Sequence, residues 1–179
     1  SDALLFQYNK AMNLTSSRRV SFKLDLTFNP ASKELWRGLD DPTIAVLTSP
    51  VSWEYDLSQW INFLRTNESC FCPEAVKQTN LVSLGLEFTD DASIAALNSS
   101  WRNVSGPTDV LSFGVFDESL VIPVNQALEL GDVVVSITTA IRQAAEQKHS
   151  LIQELRWLVT HGLLHLLGWD HPDPSSLED

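Results

Sequence analysis

Positive charge is scarce in this chain: 12 Lys and Arg stand against 23 Asp and Glu, a formal net charge of −11. That balance excludes broad electrostatic wrapping of nucleic acid and leaves room only for a local basic site. Cysteine is nearly absent. Cys70 and Cys72 are one residue apart, too close for an unstrained disulfide and too few for a cysteine-rich zinc module, so they read as reduced thiols of an intracellular protein. No run approaches the ~18 apolar residues that span a bilayer, which excludes a transmembrane helix. Internal repeats and low-complexity linkers are missing too. The first residues, SDALLFQYNK, have neither signal-peptide nor transit-peptide character and lack an initiator Met, which reads as a trimmed form.

What remains is ordinary globular material. With 179 residues, 44% hydrophobic and 20% charged, the chain is long enough to bury its own core and reads as a single domain over 1–179. The six Trp are expected in that core. Residues 19–28 alternate, with Val20, Phe22, Leu24, Leu26 and Phe28 on one face, and predict a half-buried strand. The stretch from Pro30 to Pro50 reads as irregular connection with a short helical candidate at Lys33–Gly38. A helix capped by Ser52 or Asp56 follows to Arg65, and 67–80 is loop-like. Val82–Phe88 reads as a second strand. A helix capped by Thr89 or Asp90 then runs to Arg102, with Ile94, Leu97 and Trp101 inward. VLSFGVF is a third strand from Val110, 117–130 a long loop, and GDVVVSI from Gly131 a central strand. Helices follow from Thr138 or Thr139 to Gln147 and from Leu151 to Leu167. The second carries a Ser150/Gln153 capping box and stops at Gly168. The fold class is therefore α+β (mixed α/β), with about four strands packed by helices.

Three of the four histidines fall in HGLLHLLGWDH, residues 161–171. On a helix His161 and His165 share a face, and Gly168 lets the chain turn back to deliver His171. Three neutral imidazoles with a fourth position left open suit one zinc ion in a catalytic rather than structural site, although the geometry also admits nickel or copper. His149 lacks this spacing and reads as a surface or capping residue. The same spacing occurs in metzincin peptidases, but those require Glu after the first His and a downstream Met-turn. Here that position is Gly162, and the only Met is Met12.

The stretch THGLLHLLGWDH resembles the signature of the YbeY-type endoribonuclease family, the rRNA maturation factors. LN-x-x-WR (Leu97–Arg102), PTDVLSF (Pro107–Phe113), LGDVVVS (Leu130–Ser136) and RQAAEQKHS (Arg142–Ser150) match the same pattern in order, so the resemblance covers residues 82–171. It departs in Trp169, where Tyr or Phe is usual, and in ending at Asp179, where family members continue into another acidic helix. The C-terminal helix is thus expected to be truncated.

The resemblance implies one α/β domain with a four-stranded sheet and one zinc held by His161, His165 and His171. It also implies metal-dependent, single-strand-specific hydrolysis of ribosomal RNA in rRNA maturation and ribosome quality control, and gives Arg102 an active-site role. Arg102 closes a helix, where a guanidinium can serve the macrodipole or, as a permanently charged fork, a phosphate. Asp170 either orients the imidazole of its neighbour His171 or serves the turn. Asp109 lines a cleft or caps a strand entry. Arg142, Lys148 and Arg156 read as solvated helix charges rather than a basic patch.

The implied partners are single-stranded ribosomal RNA or a ribosomal subunit, with ribosomal proteins or assembly factors beside it and no membrane. The implied location is the cytoplasm, or the plastid stroma in a plant. Two other classes stand beside this reading: a zinc hydrolase of another substrate such as peptide, and a non-catalytic ribosome-assembly factor.

Overall fold

The computed structural model describes residues 19–117, 119, 123 and 125–169. Four strands, β1 (Lys23–Asn29), β2 (Leu81–Thr89), β3 (Val110–Gly114) and β4 (Leu128–Ser136), form one sheet in the order β1-β2-β4-β3. β1, β2 and β4 run parallel, and β3 closes the edge antiparallel to β4. Among the described residues six α-helices surround it: α1 (Asp41–Leu47), α2 (Pro50–Thr66), α3 (Glu74–Gln78), α4 (Asp91–Arg102), α5 (Ile137–Gln147) and α6 (Leu151–Leu166). This is the mixed α+β domain that the pattern of strands and helices implied.

Alternation assigns the faces. Val82, Leu84, Leu86 and Phe88 of β2 point into the main core with Leu24 of β1, Trp53, Leu57 and Ile61 of α2, and Leu155, Val159 and Leu163 of α6. Cys70 and Cys72 are buried there as thiols, and burial pushes Cys72 up to about 11. The opposite face carries a smaller cluster, in which Ile94 of α4 meets Leu111 and Val134, with Leu97 and Phe113 packed against them.

Several boundaries differ from the sequence expectation for identifiable reasons. β4 starts at Leu128 rather than Gly131 because Gly131 sits inside it at a register shift, with φ at 127°. The extra residue resets the alternation, so Leu128 and Leu130 before it and Val133 and Val135 after it all face the main core. A Cβ at Gly131 would lie 2.0 Å from the Phe113 carbonyl oxygen, so only glycine allows β3 to approach. The supposed connection before Pro50 contains α1, whose first turn is capped by Asp40 accepting from the Thr43 amide at 3.1 Å. α2 starts a turn early on Pro50, capped by Ser49, and the loop-like 67–80 contains the single-turn α3. Trp101 is 72% exposed rather than inward, resting edge-on against Phe113 at 6.1 Å between ring centres. Trp36, Trp53 and Trp60 do lie in the core.

Two contacts hold the helices in place. At the sheet's C-terminal end, Asp91 of α4 accepts from the hydroxyls of Ser136 and Thr139, both at 2.6 Å, and lies 3.7 Å from Arg142. Under α6, Gly162 lies directly on the sheet: a Cβ there would meet Val133 Cγ1 at 2.6 Å and Ser112 Oγ at 3.2 Å. The Ser112 hydroxyl donates to the Gly162 carbonyl at 2.8 Å across the same contact.

Both contacts make predictions. Gly162→Glu should destabilise the fold by ~3 kcal/mol or more, through overpacking and a buried carboxylate. Val133→Ala in the same chain should recover part of that loss in thermal unfolding, and strictly additive effects would contradict the packing account. For Asp91, burial raises the carboxyl, but the Ser136 and Thr139 hydroxyls and Arg142 outweigh it and hold the pKa below the ordinary aspartate value. Its stabilisation is thus complete above the unfolded pKa of about 3.9 and is lost as pH falls through the lower folded value. Asp91→Asn should lower the unfolding temperature at neutral pH and flatten the acid limb of its pH profile. An acid limb identical to that of the parent would rule this out.

Candidate functional site

The sequence–structure agreement is closest in α6. Ser150 accepts from the Gln153 amide at 3.1 Å while the Gln153 side chain accepts from the Ser150 amide at 3.2 Å, the reciprocal cap read from the sequence. Sixteen residues later the helix stops, and Gly168 turns the chain at φ 93°. Between these ends, one face rests on β3 and β4 through Gly162, and the adjoining face carries His161 and His165, both half-buried.

The two imidazoles converge. Their Nε2 atoms are 2.9 Å apart and their ring centres 4.6 Å apart, tilted by 58°. Two such nitrogens aimed at one point either share a proton or face a common cation, and neutral imidazole is a donor of choice for zinc. The last turn of a helix also carries the partial negative charge of its terminal carbonyls, which favours a cation there. The donor set and its placement therefore fit a divalent metal. Among the described residues no third His, Cys, Asp or Glu joins the pair. His171 and Asp170 lie outside the described residues.

The turn leading towards His171 is itself anchored. The Trp169 indole N–H donates to the Phe71 carbonyl at 3.0 Å, and the two rings meet edge-on at 6.4 Å. Trp at this position thus supplies a hydrogen bond that Phe lacks. The Leu167, Gly168 and Trp169 amides are all satisfied by carbonyls of the last helical turn.

Arg102 stands apart from the pair. It ends α4, where Asn103 adopts a left-handed cap at φ 53°, Asn98 donates to the Gly106 carbonyl at 3.1 Å, and the side chain is exposed. α4 packs on Leu111, Phe113 and Val134, whereas α6 packs on Ser112 and Val133, so the two helices lie on opposite faces of the sheet. No described contact brings Arg102 to the histidines. Among the described residues β3 is the edge strand on that side of the sheet.

Of the remaining helix cations two are paired, while Lys148 is exposed in the left-handed cap that ends α5. Arg142 meets Asp91, and Arg156 lies 3.2 Å from Asp56, so these helix cations do not form a free basic patch. Asp109 caps the entry to β3, accepting from the Val110 amide at 2.8 Å, and also lines a cavity with Gln143 and Trp157. His149 is more than a surface residue, because its Nε2 contacts the carboxylate of Glu154, which is buried at 4% exposure. Trp157, which the sequence reading does not single out, lies beside the histidine pair. Its spacing of four from His161 carried the signal, and the rings lie 5.9 Å apart.

Residues 50–179 match the family model described as endoribonuclease YbeY. A relative named endoribonuclease YbeY from Prochlorococcus marinus (strain MIT 9313) is 49% identical over 168 residues, covering 93% of this chain and 90% of its own. One of the same name from Synechococcus sp. (strain CC9311) is 52% identical over 155 residues, covering 86% and 88%. A solution structure from Thermotoga maritima aligns with 83% of this chain and 78% of its own at 19% identity and a TM-score of 0.41. On the strength of the family match and the two relatives, with the histidine-bearing helix inside the matched region, the chain belongs to the endoribonuclease YbeY family.

Proposed function

We propose that the protein is a zinc-dependent endoribonuclease that cuts single-stranded ribosomal RNA, serving rRNA maturation and ribosome quality control in the cytoplasm. His161, His165 and His171 hold one zinc ion in this reading, and Asp170 supports the third ligand. Arg102 binds the scissile phosphate. The observation that carries the proposal is the convergence of two Nε2 atoms, 2.9 Å apart, in the last turns of α6. Family membership supports RNA as the substrate.

When bound, zinc supplies Lewis acidity towards a phosphoryl oxygen and lowers the pKa of water. The protein's own residues do the rest. Ser112 and Val133 fix the roll of α6 and so the direction of both imidazoles. The Trp169–Phe71 hydrogen bond fixes the turn that carries the chain to His171. Arg102 compensates negative charge growing on the phosphate with a fork that cannot lose its proton. For one phosphate to meet both, it would sit at the β3 edge, with the histidines on one side and the exposed Arg102 side chain reaching round from the other.

Peptide hydrolysis fits less well. A Glu in place of Gly162 would point into Val133 rather than beside the histidine pair, so the peptidase base has no room.

Two experiments test the proposal. His165→Ala should abolish the roughly stoichiometric zinc found by elemental analysis of chelator-free protein; undiminished metal in the variant would refute the ligand assignment. Arg102→Ala should keep the fold and zinc but slow cleavage of single-stranded RNA by ~10²–10³, with only partial rescue by Arg102→Lys. Near-normal cleavage at matched zinc occupancy would remove Arg102 from the catalytic set.

A further inference from the structure

Where α5 ends and α6 begins, against the entry to β3, the surface opens into a cavity of about 600 Å³. That size lies within the range of small-molecule sites. Its lining combines one aromatic ring, Trp157, with the carboxylates of Asp109, Glu146 and Glu154, the amide of Gln143 and the ring of His149. Among the described residues no Lys or Arg takes part.

The polar groups are organised. His149 contacts the buried Glu154 carboxylate, and the Gln143 amide reaches Asp109 Oδ2 at 3.4 Å, leaving Asp109 Oδ1 on the Val110 amide. The cavity also adjoins the histidine pair. Trp157 lies one turn before His161 on the same helix face, with 5.9 Å between ring centres.

We infer that this cavity is a nucleobase subsite that takes an amine-bearing base of the RNA strand beside the histidine pair. The inference rests on the ribonuclease reading for its biological ligand. Three carboxylates against one histidine repel a phosphate, so the cavity does not take the RNA backbone. A flat neutral base stacks on Trp157, and every base offers a face for that contact. Selectivity comes from the edges. Cytosine, adenine and guanine each carry an exocyclic amine able to donate to a carboxylate or amide oxygen. Uracil has no exocyclic amine and offers only its N3–H between two carbonyl oxygens, and those oxygens face the acceptors of Asp109 and Glu154 unfavourably. This subsite would fix which base stands next to the cleaved bond, a choice that the metal and Arg102 cannot make because they address only phosphate.

The test is an NMR titration of the full chain with cytidine, adenosine, guanosine and uridine, with ribose as a base-free control. The Trp157 indole N–H signal is identified by its disappearance in Trp157→Phe. The amine-bearing nucleosides should shift this signal saturably and bind at least several-fold tighter than uridine. Asp109→Asn should narrow that preference. Trp157→Ala, monitored on the Gln143 side-chain amide, should bind roughly tenfold more weakly or worse. An unmoved indole signal at the nucleosides' solubility limit would overturn the inference. So would an equal response to ribose, or a uridine affinity matching the others. Nucleoside binding requires neither metal nor cleavage. Protein that binds nucleosides here yet leaves RNA intact would refute the ribonuclease reading alone, and protein that cleaves RNA with an unresponsive Trp157 would refute the subsite alone.

Discussion

The seating of α6 on the sheet governs the rest of the structure. A helix can lie this close to a strand pair only where it has no side chain, and Gly162 supplies that gap above Val133. The Ser112 hydroxyl then locks the helix's roll by bonding to the Gly162 carbonyl. Once roll is fixed, the 100° step between successive residues leaves no choice about where His161 and His165 point. The residue that distinguishes this chain from a peptidase is thus the residue that orients its candidate metal ligands. Absence of a carboxylate at that position is a packing requirement as well as a chemical difference.

Charge is distributed consistently with that arrangement. An excess of acid would oppose RNA if the surface were uniform. Instead, two of the helix cations are used internally, Arg142 against Asp91 and Arg156 against Asp56, where they bind α4 to α5 and α2 to α6. Among the described residues Arg102 enters no ion pair. In the proposed function RNA recognition therefore rests on a few directed contacts, a metal ion, one guanidinium and base stacking, rather than on a general electrostatic field.

The features legible in the sequence were those encoded locally. The Ser150/Gln153 cap and the Gly168 stop each depend on a few neighbouring residues, and both ends of α6 follow from them. β2 alternates without interruption and was equally plain. What failed were features set by distant partners. The bulge at Gly131 exists because β3 passes within reach of its backbone, and it breaks the alternation that marks a strand. The burial of Trp101 was misjudged because helical spacing places it near the inward stripe, while the short edge strand beneath is too narrow to cover it. α1 and α3 are too short for periodicity to register, although Asp40 before Asp41, Pro42 and Thr43 carried a capping signal. Of the candidate site, the histidine pair follows from spacing alone. The cavity beside it does not, since it joins Asp109 to residues of two later helices.

The most direct test of the central claim is X-ray absorption at the zinc edge on protein that cleaves single-stranded RNA. The expected first shell is nitrogen and oxygen only, at ~2.0–2.1 Å, with outer-shell scattering from about three imidazoles. In His161→Ala that imidazole scattering should fall. Sulfur scatterers near ~2.3 Å would move the metal to Cys70 and Cys72. Protein that cleaves RNA while carrying no metal would contradict the account altogether.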